Sequence, residues 1–278
     1  MAYTAEISRS NPSCIIFLVD QSGSMSNPIG GEMRQPKAEV VADAINRLLF
    51  ELTIKCAKET GVRDYFQVAV IGYGHTVGSA FSGDLAERDV IPLSHIADNP
   101  ARVDQRTKKV PDGAGGLVET AVSFPVWLEP SAKGGTPMNR ALQYVDNLVA
   151  KWVTDYPGSF PPIVLNLTDG ESTDGDPTVS GASICTHTTA DGNALLFNLH
   201  VSGAGSHPAT FPNSDSNLPD SYSRLLFAMS SILPSHMRSY AASLGHRVGE
   251  DTRGFVYNAD ISSVIQFLDI GTRSTDLR

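Results

Sequence analysis

Three strand-like runs set the terms for this chain: SCIIFLVD at 13–20, which is continuously apolar, YFQVAVIGYG at 65–74 and PPIVLNLTDG at 161–170. A strand with one wet face alternates apolar and polar side chains, whereas an unbroken run needs cover on both faces. Helical patterns supply that cover. PKAEVVADAINRLLFELTIKCAKETG (36–61) opens on Pro36, closes on Gly61 and places Val40, Val41, Ala44, Ile45, Leu48, Leu49 and Leu52 at helical spacing. TPMNRALQYVDNLVAKWVTDYP (136–157) predicts a second helix, with Thr136 as its cap and Pro137 as its first residue. Further along, the pattern predicts a short helix within 177–190, a strand at 193–203, and a helix over 220–245 broken near Pro234. A short strand at 253–259 and a closing helix over 260–272 capped by Asp260 complete the series. Strands alternating with helices predict an α/β fold: a doubly wound, mostly parallel central sheet flanked by helices on both faces.

A length of 278 residues is expected to form one domain, 1–278, with its core at about 13–270. The region 75–133 fits this pattern least. It reads as a β-hairpin or edge strand followed by a long irregular loop from Thr107 to Gly135, and 203–220 reads as a second irregular insertion. At 41% hydrophobic and 18% charged the chain is too apolar for disorder, and a net charge of −9 speaks against nucleic acid as a partner. No apolar stretch approaches the roughly 20 residues of a membrane helix. The opening MAYTAEISRSNPS lacks the apolar segment of a signal peptide. Cys14, Cys56 and Cys185 lie far apart and read as free thiols. These features predict a cytoplasmic protein with no membrane partner.

The first run ends in a carboxylate and leads into hydroxyls at every second position: Asp20, Ser22, Ser24 and Ser26. In a doubly wound sheet, ligands gather outside the carboxyl ends of the strands where the strand order reverses. Two other segments are expected there, GGTPM with Thr136 and LTDGES with Asp169. Two carboxylates and three hydroxyls, without sulfur or imidazole, form a hard-oxygen donor set suited to Mg²⁺, Mn²⁺ or Ca²⁺. The nearby TDGD at 173–176 reads as an acidic loop in preference to a second metal site. Asp20 and Ser22 could alternatively cap a helix.

The D-x-S-x-S at 20–24, the threonine of GGTPM and the TDG after a buried strand together resemble a von Willebrand factor A (vWA) domain with its metal-ion-dependent adhesion site. The resemblance covers most of the chain and implies a Rossmann-like fold. It implies that Ser22 and Ser24 bind the metal directly, that Asp20 and Asp169 hold it directly or through water, and that Thr136 is a switchable ligand. The open coordination position would then take an Asp or Glu carboxylate from a protein partner, a binding role and not an enzymatic one. Gly23, Met25, Gly135, Gly170 and Glu171 are the flanking candidates for partner contact. Trp127 reads equally as a ligand-surface residue or a core anchor.

Among vWA proteins, LTDGESTDG is similar to the stand-alone bacterial type associated with tellurium resistance, found beside protein kinases and phosphatases in stress and phage-conflict operons. A partner subunit of a MoxR- or chelatase-type ATPase is an alternative. A Mg²⁺-dependent phosphohydrolase using Asp20 is another, although such sites place a second acid where this chain has Ser22.

Overall fold

The apolar runs lie side by side at the centre of an eight-stranded sheet in the computed structural model, which describes residues 3–29, 35–111, 116–201 and 208–272. In chain order the strands used below are β1 (Ser13–Asp20), β2 (Phe66–Tyr73), β3 (Val77–Ser79), β4 (Ile91–Pro92), β5 (Arg102–Pro111), β6 (Leu117–Val126), β7 (Ile163–Thr168), β8 (Leu195–Val201), β9 (Ala209–Thr210) and β10 (Phe255–Ala259). The helices are α1 (Lys37–Cys56), α2 (Leu93–Asp98), α3 (Met138–Asp155), α4 (Thr178–Ile184), α5 (Ser221–Met229), α6 (Ser235–Ser243) and α7 (Ile261–Gly271).

The sheet runs β9-β10-β8-β7-β1-β2-β3, with β4 also on the outer edge of β2. Every pairing from β10 to β2 is parallel, and only the short strands β3, β4 and β9 are antiparallel. The protein therefore has the doubly wound, mostly parallel α/β fold. β1 is buried along its whole length because its two faces meet different layers. Ile15, Phe17 and Val19 join the core that includes α1, α6 and α7, while Cys14, Ile16 and Leu18 join the one that includes α3, α4 and α5. Burying each large side chain contributes roughly 1.5–3 kcal/mol, which is why these runs take the central positions.

Three features differ from the sequence reading. α1 stops at Cys56 instead of Gly61, because Ala57–Lys58 and Gly61–Val62 pair as a tight antiparallel hairpin, with Gly61 at φ 111°. Thr136 does not cap α3, which begins at Met138; its hydroxyl is left for another role. The expected irregular loop at 107–135 is largely an antiparallel ribbon, β5 with β6, paired from Arg102↔Val126 to Pro111↔Leu117. The Gly-rich segment between its strands, residues 112–115, lies outside the described residues. The ribbon rests on α1 through Arg106, whose guanidinium grips Asp43 at 2.9 and 2.7 Å and lies 3.6 Å from the Phe124 ring centroid. Of the second irregular stretch, residues 203–207 lie outside the described residues.

The broken helix is confirmed as α5 and α6 on either side of Pro234. Asp220 and Asp260 cap α5 and α7, accepting from the amides of Ser223 at 2.7 Å and Ser263 at 2.8 Å. Among the described residues no helix is long and apolar enough to cross a membrane. All three cysteines are free, with Cys14 and Cys56 buried and Cys185 partly exposed.

Candidate metal centre

The strand order turns at β1, with β2 on one side and β7, β8 and β10 on the other. The carboxyl ends of β1 and β7 are therefore neighbours at the switch point, and Asp20 and Asp169 stand at those ends. Asp20 is wholly buried. Its Oδ1 accepts the Ser22 amide at 2.8 Å and its Oδ2 accepts the Thr168 hydroxyl at 2.8 Å. Among the described residues no cation pairs with it. Burial pushes its pKa up to about 6, against the pull of hydrogen bonds from Ser22 and Thr168.

Hydrogen bonds tie the three segments together. Ser22 Oγ and Ser24 Oγ are 3.0 Å apart, and Ser24 Oγ donates to Asp169 Oδ1 at 2.7 Å. The Gly23 amide donates to the Gly134 carbonyl at 3.0 Å, bringing in the threonine loop. That loop is in turn held to the third segment, since Thr136 N donates to Thr173 Oγ1 at 3.0 Å and Thr173 N to the Thr136 carbonyl at 2.9 Å. Thr136 Oγ1 lies beside Gly170, 3.9 Å from where a Cβ at that position would sit. Asp20, Ser22, Ser24 and Asp169 are thus brought together, and the Thr136 hydroxyl lies beside the residue that follows Asp169.

The arrangement fits a hard divalent ion. Oxygens 3.0 Å apart, as Ser22 and Ser24 hold theirs, match neighbouring ligands around an octahedral ion with bonds of about 2.1 Å. A serine hydroxyl donating to a carboxylate still presents lone pairs to an ion. Among the described residues there is no group of three or more His, Cys, Asp and Glu side chains that could hold a metal, so any ion here depends on the hydroxyls.

The flanking residues divide. Gly23, Gly135 and Glu171 are exposed and Gly170 is half-buried, so these four border the site on its open side. Met25 is fully buried, and Trp127 is 1% exposed with its indole N–H donated to the Ile96 carbonyl at 2.6 Å. Neither offers a surface to a partner; both are core residues, and their expected contact role is withdrawn.

Several neighbours were not apparent from the sequence. Lys37 Nζ sits 2.8 Å from Asp169 Oδ2. Its position in the first turn of α1 is one where the helix dipole disfavours a cation, and that misfit is the signal that could have found it. Tyr222 donates its hydroxyl to the Gly170 carbonyl. Behind the site a buried polar chain crosses the sheet from Tyr73 to Asn166 at 2.8 Å and from Asn166 to Asn198 at 2.9 Å. His200, stacked on Tyr257 at 4.8 Å, has its pKa lowered to about 4 by burial and then by Lys37, and so is neutral at pH 7.

The acidic loop has a structural task. Asp174 accepts the Asn139 and Arg140 amides at 3.0 Å each, so it caps α3 from a distance in sequence. Asp176 accepts the Thr178 amide at 2.9 Å at the start of α4. With its oxygens committed to α3, Asp174→Ala is expected to cost ~1 kcal/mol in thermal unfolding and to leave metal stoichiometry unchanged in calorimetry.

No protein-family model and no curated protein matches the sequence. Solved structures do. Proximal thread matrix protein 1 of the mussel byssus matches over 96% of this chain and 48% of its own, with 14% identity and a TM-score of 0.48. A von Willebrand factor type A protein from Catenulispora acidiphila matches over 94% and 42%, with 13% identity and a TM-score of 0.42. The manganese-loaded TRAP protein of Plasmodium vivax matches over 93% and 72%, with 10% identity and a TM-score of 0.43. The chain spans less than half the length of the mussel protein and of two Porphyromonas gingivalis pilus-tip structures that it also matches.

Proposed function

We propose that this protein is a vWA-type binding module that engages an acidic side chain of a protein partner through a divalent cation. The observation that carries this reading is the junction of the three loops, where Ser22, Ser24 and Asp169 are linked beside the buried carboxylate of Asp20, which has no cationic partner among the described residues, and the Thr136 hydroxyl lies next to Gly170. Ser22, Ser24 and Thr136 would bind the ion through their hydroxyls, with Asp20 and Asp169 balancing its charge. The ion would supply a Lewis-acidic position open to a carboxylate. The chain's own part is to hold these oxygens in place: Thr168 and the Ser22 amide fix Asp20, and Ser24 fixes Asp169.

We read the protein as non-enzymatic. Both oxygens of Asp20 accept hydrogen bonds in a fully buried position, and Ser22 stands where a phosphohydrolase would place its second acid, which speaks against a nucleophile. The finer reading is a cytoplasmic bacterial scaffold of the tellurium-resistance type, working with kinase, phosphatase or ATPase components. It rests on LTDGESTDG alone.

Calorimetric titration of Mg²⁺, Mn²⁺ and Ca²⁺ into chelator-treated protein is expected to show one site. Heats no greater than dilution for all three ions would sink the metal-centre reading. Metal-dependent hydrolysis of p-nitrophenyl phosphate would favour the phosphohydrolase instead.

A further inference from the structure

Lys37 is an unusual companion for a cation site. Its side chain is 10% exposed, and its ammonium lies 2.8 Å from the fully buried carboxylate of Asp169. It also stands in the first turn of α1, where the helix end carries partial positive charge and disfavours a cation. Burial and the dipole both oppose it, so the carboxylate is what holds it there. The pair leaves Asp169 divided between two tasks. Oδ2 takes the ammonium, while Oδ1 accepts the Ser24 hydroxyl and stays with the oxygen cluster.

The charge count follows from these contacts. Asp20 and Asp169 contribute two negative charges and Lys37 one positive, so the cluster carries one net negative charge. A divalent ion added to it leaves one net positive charge; without Lys37 the loaded cluster would be neutral. Glu171 is exposed, and solvent and salt screen its contribution.

We propose that Lys37 is a specificity-determining residue of the metal centre, cancelling Asp169 so that the loaded site keeps one positive charge and selects a carboxylate over a neutral carbonyl or hydroxyl. The inference rests on the metal-centre reading above and adds to it the charge class of the ligand. It also implies a trade. Lys37 weakens the hold on the ion, since it competes for Asp169, and strengthens the hold of the ion on an anion.

The test uses Mn²⁺ and acetate as probes, with acetamide as the neutral analogue of acetate. Calorimetry gives the Mn²⁺ affinity, and water-proton relaxation of protein-bound Mn²⁺ reports water displaced by either small molecule. Lys37→Met is expected to bind Mn²⁺ about tenfold tighter or more and acetate about tenfold weaker, with acetamide unchanged, as removal of one nearby charge requires. Lys37→Arg, which keeps the charge, is expected to resemble wild type in its preference for acetate over acetamide. Lys37→Gln serves as a second neutral variant, and circular dichroism melting confirms that each variant is folded. Mn²⁺ bound by wild type and by the folded neutral variants with the same acetate-to-acetamide preference would overturn the role of Lys37 and leave the metal centre standing. Absence of Mn²⁺ binding in wild type and variants alike would overturn both.

Discussion

Asp20→Asn is expected to abolish divalent-metal binding and, at the same time, to raise the melting temperature of the metal-free protein at pH 7. Both effects come from one buried charge. In the folded chain burial lifts the pKa of Asp20 from 3.8 to about 6. In the unfolded chain it titrates near its ordinary value. A raised carboxylate pKa means that the folded state binds the proton more tightly, so the contribution of Asp20 to stability is most favourable below pH 4, falls as pH rises from 4 to 6, and stays lowered above 6. An elevation of this size corresponds to ~3 kcal/mol at neutral pH. Asparagine removes that cost and keeps the geometry. Its Oδ1 can accept the Ser22 amide, and its Nδ2 can donate to Thr168 Oγ1, which is already placed to donate to the Gly170 carbonyl at 3.0 Å.

A gain of several degrees follows, at roughly 2–4 °C per kcal/mol for a chain of this size. Metal affinity moves the other way. The site loses one of its two carboxylates, and with Lys37 bonded to the other the oxygen cluster keeps no net negative charge; a loss of at least about 100-fold is expected. Paired calorimetry and thermal melts at pH 5 and pH 7 check both arms. A variant that lost metal binding and also melted lower at pH 7 would show that Asp20 serves the fold directly and is not held at a cost for a cation.

The adjacent glycines of GGTPM provide the second large effect, because they are not equivalent. Gly134 has φ +90°, and a Cβ there would stand 2.6 Å from the His75 amide nitrogen and 2.8 Å from its Cα. Those are backbone atoms and cannot swing aside. The left-handed conformation costs roughly 1–2 kcal/mol for alanine and the overlap roughly 1–3 more, so Gly134→Ala is expected to destabilise the protein by ~2–5 kcal/mol. It should also weaken metal binding, since the Gly134 carbonyl is the acceptor that ties the Gly23 loop to the threonine loop. At Gly135 the nearest atom belongs to a side chain, Thr173 Oγ1 at 3.0 Å, which can give slightly while still accepting the Thr136 amide, and Gly135→Ala should cost about 1 kcal/mol. Urea denaturation of the two variants side by side measures the contrast, and equal effects would mean that the junction is looser than its geometry shows.

The glycine contrast illustrates how sequence and structure divide the information. Read as sequence, the two glycines are alike in everything except that Gly135 adjoins Thr136. In the fold, Gly134 is a glycine because His75 lies against it, a neighbour 59 positions earlier in the chain. Trp127 and Met25 failed as contact residues for the same reason. Nothing local says that the chain folds Trp127 onto the Ile96 carbonyl or tucks Met25 beneath its loop. The ribbon at 102–126 is not legible in the sequence because a glycine-rich stretch divides it, and its two ten-residue strands pair with each other and lack the apolar character of the central sheet.

By itself the amino-acid order determined the central strands, the helical layers and the five oxygen-bearing residues. A run such as CIIFLV at 14–19 is satisfied only between two layers, and the hydroxyls that follow Asp20 gain the character of a hard-oxygen donor set together with Thr136 and Asp169. The tertiary structure alone decided the charge of the site. Lys37 and Asp169 are 132 positions apart and carry no mutual signal along the chain, yet the crossover that places α1 over the switch point sets them 2.8 Å apart. Short-range pattern records what each segment must bury; which charges then face one another depends on how the segments are wound together.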